Sequence, residues 1–175
     1  MFPYRFRSFT DTDLPTVKRW LTTPEVVRWW GDPAEQLALL EEDLEEPLMR
    51  QWIVEHHERP FAYVQAYEAH DWPQFHLQHL PAGAQVIDAF IGEPDMLGRG
   101  HGSAFLRVLA GMLIQDGAPL VAIDPDVENL RARRAFARAG FAEDAVVQVE
   151  RGPVALMVFG GDARRTAASE AYDCG

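Results

Sequence analysis

The stretch MLGRGHGSAFLRVLAG, residues 96–111, decides the fold. Its glycines Gly98, Gly100 and Gly102 alternate, and an amphipathic segment follows them at once. Glycine permits tight turns and lets a ligand approach the main chain closely. The N-terminus of a helix offers unpaired N–H groups and a partial positive charge. Together these features predict an anion site, most simply for a phosphate group, at the start of a helix.

Hydrophobic periodicity along the rest of the chain predicts a mixed order of strands and helices. The strands are expected over 4–9, 51–57, 60–69, 85–93, 119–124, 145–150 and 154–159. The helices are expected over 13–21, 24–31, 33–49, 102–115 and 128–140. In the helix after the glycines, the predicted apolar stripe comprises Phe105, Val108, Leu109, Met112 and Leu113. We expect one layered α/β (α+β) domain over residues 1–160 and a flexible tail over 161–175.

The charge of the chain limits its partners. Acidic residues outnumber basic ones by 27 to 16, which gives a formal net charge of −11. This charge argues against nucleic acid and anionic membranes and is compatible with a cationic small molecule. No apolar run reaches the roughly 18 residues that a membrane span needs. The single cysteine, Cys174, leaves no intrachain disulfide, so we expect a cytoplasmic protein.

Two common phosphate-binding motifs do not fit the glycine turn. A dinucleotide-binding unit needs its glycines directly after a strand, whereas EPDML intervenes here, and only 73 residues follow Gly102. A P-loop reads Gly-x-x-x-x-Gly-Lys-Ser/Thr, and residues 96–111 contain no lysine. The phosphate site is therefore expected to be of a third kind.

The glycine turn resembles the pyrophosphate loop of the GCN5-related N-acetyltransferase (GNAT) family. The family pattern is Gln/Arg-x-x-Gly-x-Gly/Ala, and residues 97–102 read LGRGHG, with Leu97 in place of the leading Gln or Arg. A second segment, NLRARRAFARAGF (129–141), resembles the family's later Asn-x-x-Ala-x-x-x-Tyr-x-x-x-Gly-Phe pattern, with Phe136 at the tyrosine position. The resemblance covers about residues 4–159. It implies the GNAT fold, a mixed central sheet of about six to seven strands flanked by helices.

The resemblance also implies a co-substrate and the residues that hold it. Acetyl-CoA is expected to bind with its pyrophosphate on the turn and its pantetheine arm along the strand DAFIGE. The implied cofactor-binding residues are Arg99, Gly100, His101, Gly102, Ser103 and Asn129. Arg99 is the one cation of the turn and is expected either to attract the phosphates or simply to face solvent.

Within the family, the segments VVRWWG, YVQAYEA, HDW, IDAFIG and IDPDVENLRA resemble the aminoglycoside 6′-N-acetyltransferases. That branch confers antibiotic resistance by acetylating an amine. The same layout recurs in acyltransferases of siderophore biosynthesis, so both branches stay open from the sequence.

Acetyl transfer to an ammonium first requires removal of a proton, and Asp88 is the candidate catalytic base. On an alternating strand Asp88 shares a face with Val86 and Phe90. Apolar neighbours disfavour the charged form of a carboxylate, so the pKa of Asp88 is expected to rise and to suit a base near neutral pH. A structural pair with an arginine is the alternative role.

The acceptor is expected to be a cationic small-molecule amine held by carboxylates and a flat aromatic face. The predicted substrate-binding residues are Trp29, Asp71, Asp88 and Asp124, with Asp126, Trp30, Trp72 and Phe75 as further candidates. Tyr63 and Tyr67 lie on a strand face and are alternatives for the hydroxyl that Phe136 lacks. The loop histidines His70, His76 and His79 do not form a well-defined ligand set, so no metal site is predicted.

Three hypotheses follow. The first is an acetyl-CoA-dependent N-acetyltransferase that modifies the 6′-amine of an aminoglycoside. The second is an acyltransferase acting on a hydroxylysine-type siderophore precursor. The third is a non-catalytic acyl-CoA-binding module, in keeping with Leu97 and Phe136. The sequence assigns no oligomeric state.

Overall fold

A computed structural model describes residues 3–160, so the predicted tail with Cys174 lies outside the described residues. Within this range the strands are β1 (Tyr4–Ser8), β2 (Arg50–His56), β3 (Arg59–Glu68), β4 (Gln85–Ile91), β5 (Val121–Ile123), β6 (Phe141–Val149) and β7 (Gly152–Phe159). The helices are α1 (Leu14–Leu21), α2 (Pro24–Trp30), α3 (Pro33–Leu44), α4 (His101–Gln115) and α5 (Leu130–Ala139). None of these helices is long and apolar enough to cross a membrane.

The strands form one mixed sheet in the order β1-β2-β3-β4-β5-β7-β6. Neighbouring strands are antiparallel except β4 and β5, which run parallel and pair at only two positions, Gln85 with Val121 and Val86 with Ala122. The mixed sheet of about six to seven strands flanked by helices, which the family resemblance implies, is confirmed with seven strands among the described residues.

The alternation of side chains along β3 divides the core into two layers, because successive residues of a strand point to opposite faces. Val64 belongs to a cluster with Phe105 of α4 and Phe136 of α5. Tyr63, its neighbour in sequence, belongs to a cluster with Trp20 of α1. Helices α4 and α5 therefore cover one face of the sheet, and α1 to α3 cover part of the other.

One close contact shows how the α1 layer is fixed to the sheet. Trp20 is fully buried, and its indole nitrogen donates to the Glu93 carboxylate over 2.8 Å. A Cβ added at Gly92 would stand 2.1 Å from the Trp20 ring. Only glycine fits at that position, just after β4, without displacing the ring.

Three expectations about element boundaries and the helical stripe need correction. Helix α3 ends at Leu44 and not near Met49, because Pro47 disfavours helical backbone in the residue before it and has no N–H to donate. Strand β6 begins at Phe141, four residues earlier than expected. In α4 the buried stripe is Phe105, Leu106, Leu109, Ala110 and Leu113, while Met112 is exposed.

Candidate active site

The glycine turn forms the start of α4 as expected. Gly98 and Gly100 have φ angles of +70° and +84°, a backbone region that side chains rarely adopt. Gly100 occupies the cap position and offers no side chain, so the first N–H groups of α4, at His101, Gly102 and Ser103, have no side-chain cap. A cavity of about 150 Å³ borders these residues. A helix N-terminus of this kind favours a phosphate group.

The other residues expected at the cofactor lie around the same turn. Arg99 is exposed, and its one described contact is a 3.5 Å approach to the backbone carbonyl of Asp95. Asn129 caps α5 by accepting from the Ala132 amide over 3.1 Å, and it lines the cavity. His101 accepts or donates at Nδ1 toward the Tyr4 hydroxyl over 2.9 Å. Burial, followed by the charges of nearby basic groups, lowers the pKa of His101.

Strand β4 presents a free edge between this cavity and a larger one. Beyond Val86 it separates from β5, so Ile87 to Ile91 has no strand partner on that side. The larger cavity has a volume of about 880 Å³. Ala89 on β4 and Phe136 on α5 line both cavities. A ligand in one cavity would therefore meet a ligand in the other beside the β4 edge.

Asp88 lies in the wall of the larger cavity, on the same face of the sheet as the apolar Val86 and Phe90. Its Oδ2 accepts a hydrogen bond from Gln65 Nε2 over 3.1 Å. Burial and then the negative charge of Asp124 raise the pKa of Asp88 to about 6. A carboxylate that titrates in this range accepts protons well near neutral pH.

Asp124 follows β5 and lines the same cavity. Its hydrogen-bond partner, His76, was not predicted from the sequence. Both Asp124 and His76 are more than nine-tenths buried, and His76 Nε2 lies 2.7 Å from Asp124 Oδ2. The two residues are 48 positions apart in sequence, and no local pattern links them. His79 is exposed, and residues 3–160 contain no group of three side chains placed to hold a metal ion.

The aromatic candidates separate into three groups. Trp29 and Trp30 are half-buried and line both cavities, and Trp30 also packs edge-on against Phe90 with ring centroids 4.9 Å apart. Phe75 lines the large cavity with 86% of its surface exposed. Trp72 instead packs against Tyr67. The Arg28 guanidinium lies over one face of the Trp29 ring, 4.7 Å from its centre, so Trp29 has one remaining face for a ligand. Phe75 is open to a ligand, while Trp72 belongs to the packing beneath the site.

The acidic candidates do not all converge. Asp88, Asp124 and Asp126 line the large cavity, whereas Asp71 is exposed and is not part of its lining. The turn that carries Asp71 is held by the bond from its own amide to the Glu68 carbonyl, over 3.1 Å. The structure brings together the acidic residue within β4 and the two that come after β5, but not the one in the loop after β3.

Two other side chains of the cavity were not singled out from the sequence. Gln65 is buried and bonds to Asp88, a pairing set by the cross-strand register of β3 and β4. Arg151, in the turn between β6 and β7, is the one arginine or lysine among the described lining residues of the large cavity. Its charge lies close enough to oppose the rise in the pKa of Asp88.

Comparison with known proteins gives a family and named relatives. Residues 10–149 match the family model described as an acetyltransferase (GNAT) domain. The aminoglycoside N(6′)-acetyltransferase type 1 of Klebsiella pneumoniae is 29% identical over 164 residues, which cover 87% of this chain and 80% of that protein. The kanamycin resistance protein of Rhizobium radiobacter is 34% identical over 77 residues, which cover 43% of this chain and 71% of that protein.

Solved structures of an aminoglycoside acetyltransferase, AAC(6′)-Ib, have the same fold. AAC(6′)-Ib in complex with coenzyme A and kanamycin superposes with a TM-score of 0.79 at 28% identity, covering 89% of this chain and 93% of that one. AAC(6′)-Ib in complex with paromomycin and acetyl-CoA has a TM-score of 0.80 at 28% identity, covering 89% and 92%.

Proposed function

Because the chain belongs to the acetyltransferase (GNAT) domain family, we propose that it transfers the acetyl group of acetyl-CoA to the 6′-amine of an aminoglycoside. One of its relatives is named as an aminoglycoside N(6′)-acetyltransferase, and another is named as a kanamycin resistance protein. The observation that carries the proposal is the meeting of two cavities at the free edge of β4, with Asp88 in the wall of the larger one. Antibiotic resistance is the biological consequence expected of such an activity.

The turn before α4 fits the pyrophosphate of acetyl-CoA. The amides of Arg99, Gly100, His101, Gly102 and Ser103 surround a helix start that has no side-chain cap. The Asn129 side chain borders the same cavity while it caps α5. Acetyl-CoA supplies a reactive thioester carbonyl, and an N–H on the free β4 edge is suited to stabilise its oxygen as negative charge develops.

Asp88 acts as the general base in this proposal. Before attack, the acceptor ammonium has to lose a proton, since only the neutral amine has a lone pair. A carboxylate whose pKa is raised to about 6 is ionised at pH 7 and still takes up a proton readily. The adjoining cavities orient amine and thioester, and orientation supplies much of the rate for an already reactive acyl group.

The acceptor occupies the larger cavity. Asp124 and Asp126 offer negative charge to further ammonium groups, and Trp29 offers a flat face to a sugar ring. Asp71 is exposed outside this lining, so we assign it no contact with the acceptor. The volume of about 880 Å³ is within the range of ordinary small-molecule sites.

No side-chain hydroxyl stands at the position where the family pattern has tyrosine. Phe136 lines both cavities there, with 9% of its surface exposed. We propose that the thiolate of coenzyme A leaves without a proton from this position. Water then solvates and protonates the departing thiolate, which is a good leaving group.

Release of free thiol from acetyl-CoA in the presence of kanamycin or tobramycin tests the activity. We expect thiol release that depends on both substrates and that is strongly reduced in Asp88→Asn. A protein that binds acetyl-CoA but releases no thiol with any amine would be the non-catalytic module instead.

The position of Arg151 favours a second candidate function, in which the acceptor carries a carboxylate as well as an amine. Among residues 3–160 no side chain forms an ion pair with Arg151, although it borders the large cavity. A hydroxylysine-type amino acid would place its carboxylate on this guanidinium and its side-chain nitrogen toward Asp88. Turnover of N-hydroxylysine by the wild type, with a much higher KM in Arg151→Gln, would move the assignment to this class.

A further inference from the structure

A chain of buried polar side chains leads from α3 across three strands to Asp88, and we call it the polar ladder. Gln51 Nε2 donates to the Leu40 carbonyl over 3.1 Å and to the Tyr63 hydroxyl over 2.8 Å. The Tyr63 hydroxyl donates to Gln65 Oε1 over 2.7 Å. Gln65 Nε2 donates to Asp88 Oδ2 over 3.1 Å. The ladder thus ends on the proposed base.

The Leu40 carbonyl, at the end of the ladder away from Asp88, decides which group donates and which accepts in every hydrogen bond of the ladder. The Leu40 carbonyl can only accept, so Gln51 has to present its NH₂ group, which also donates to Tyr63. The Tyr63 oxygen is then an acceptor from Gln51, and its single hydrogen goes to Gln65 Oε1. Gln65 therefore faces Asp88 with its NH₂ group and not with its carbonyl oxygen.

Because the ladder is buried, the orientation of the Gln65 amide affects the charge state of Asp88. The exposed fractions of Gln51, Tyr63 and Gln65 are 8%, 0% and 8%. No water replaces a partner easily at such positions, and an unpaired polar group there is costly. A flipped Gln65 amide would place an oxygen against the Asp88 carboxylate, which favours the protonated acid.

The aromatic core holds the Tyr63 hydroxyl in place. The Tyr63 ring stacks on Phe90 with centroids 5.4 Å apart and contacts Phe9 edge-on at 5.4 Å. Trp30, which lines the acceptor cavity, packs edge-on at 6.4 Å. The hydroxyl proton is committed to Gln65, so Tyr63 does not serve as the acid for the leaving thiolate.

Other charges also act on Asp88. Asp124, after β5, and Asp43, on α3, disfavour its ionised form, and Arg151, before β7, favours it. Tyr67 on β3 is a neighbour whose own pKa is raised by burial and by the charges of Asp88 and Asp124, so it stays neutral. His76 is paired with Asp124. Gln65 is the hydrogen-bond donor to Asp88 among the described side chains.

We propose that Tyr63 and Gln65 are positioning residues that hold a hydrogen-bond donor on Asp88 Oδ2, so that the carboxylate stays ionised and keeps Oδ1 available to the acceptor amine. This inference rests on the proposed function, in which Asp88 accepts the proton. Tyr63 acts only through Gln65, and neither residue touches the reacting atoms.

The first test is a titration that needs no turnover. The Asp88 carboxyl carbon is followed by NMR against pH in the wild type, Tyr63→Phe and Gln65→Met, with Asp88→Asn used to assign the signal. Tyr63→Phe keeps the ring, and Gln65→Met keeps the length of the side chain. We expect the Asp88 midpoint to move upward by roughly half to one pH unit in each variant, the size that one hydrogen bond supports.

Tyr67→Phe is the matched control for the titration. It removes a hydroxyl from the same strand, but that hydroxyl bonds to Gln74 and not to the ladder. We expect the Asp88 midpoint to stay at its wild-type value in this variant. An equal upward movement in Tyr67→Phe would show a general effect of lost polarity and would overturn the proposal.

The double variant Tyr63→Phe/Gln65→Met tests whether Tyr63 acts on Asp88 through Gln65 or independently of it. If Tyr63 acts through Gln65, the double variant titrates like Gln65→Met alone, whereas independent effects would add. The acid limb of kcat/KM should move with the Asp88 midpoint in all three variants. An unchanged Asp88 midpoint in Gln65→Met would overturn the proposal, even if Tyr63→Phe failed to fold. Because the titration uses no acceptor, its result stands whether or not aminoglycosides are acetylated.

Discussion

His76 Nε2 lies 2.7 Å from Asp124 Oδ2, and the two side chains are buried together in the wall of the large cavity. This pairing fixes where the negative charge of Asp124 lies. That charge is the second largest cause, after burial, of the raised pKa of Asp88. The protonation of the proposed base is therefore set partly by a residue that follows a different strand.

Replacing Asp124 should move the pH dependence of the reaction. Asp124→Asn removes a negative neighbour, so the ionised form of Asp88 becomes easier to reach and its pKa falls below about 6. The rate requires ionised Asp88, so the acid limb of kcat/KM should move to lower pH. KM for a cationic acceptor should rise, since a binding charge is lost.

Asp71→Asn is the control for that experiment. It removes one carboxylate from the chain, as Asp124→Asn does, but from an exposed position outside the cavity lining. We expect its acid limb and its KM to match the wild type. An acid limb that stayed in place in Asp124→Asn, measured at saturating acetyl-CoA, would contradict the account of the Asp88 pKa.

Asp88→Asn tests the role of the base directly. The amide is nearly isosteric and still able to bond with Gln65, but it does not take up the amine proton. We expect kcat/KM to fall by roughly 10²–10⁴-fold, the usual contribution of a general base. The remaining rate should lose the acid limb near pH 6. A near wild-type rate across the pH range would leave orientation alone to explain catalysis.

Binding of acetyl-CoA should raise the melting temperature, because a ligand that binds only the folded state stabilises it. Gly100→Val should abolish the shift, since φ is +84° at this position and a β-branched side chain strains the turn. Gly111→Ala is the matched control: position 111 lies within α4 and an added Cβ would meet nothing within 4 Å, so the variant should keep the full shift. Stabilisation by NADH or ATP but not by acetyl-CoA would argue against the family's co-substrate.

Phe136→Tyr probes the missing hydroxyl. The Phe136 ring borders both cavities, so the new hydroxyl is added beside the place where the two substrates meet. We expect kcat to stay at the wild-type level or to rise slightly, because the variant restores the residue of the family pattern. A loss of tenfold or more in kcat, without a change in melting temperature, would mean that the leaving sulfur needs an apolar surface there.

Much of the fold was predictable because it follows from local rules. Hydrophobic periodicity predicted the seven strands of the described sheet, although β6 begins earlier than expected, and the positive φ angles of Gly98 and Gly100 are the conformations that alternating glycines suggest. The overestimated length of α3 was avoidable, since Pro47 stands in the sequence as a helix stop. Short β5 was placed correctly because VAI is a buried apolar run between two helices.

The site was predictable where a local sequence pattern decides the place of a residue. Asp88 could be assigned to a face of β4 from alternation alone. The partners His76, Gln65 and Arg151 could not be found, because their approach depends on strand register and on loops that cross from distant parts of the chain. Asp71 was expected at the cleft for its charge, but it is exposed and is not part of the cavity lining, although Phe75 and His76 of the same loop are.

The most direct test of the central claim uses two aminoglycosides that differ only at the 6′ carbon, one with an amine and one with a hydroxyl. Thiol release from acetyl-CoA is followed with each compound, and the product mass and position of the acetyl group are determined. The account predicts turnover of the amine with acetylation at the 6′ nitrogen, and binding without turnover of the hydroxyl compound. Turnover of N-hydroxylysine together with no turnover of any 6′-amino aminoglycoside would contradict it.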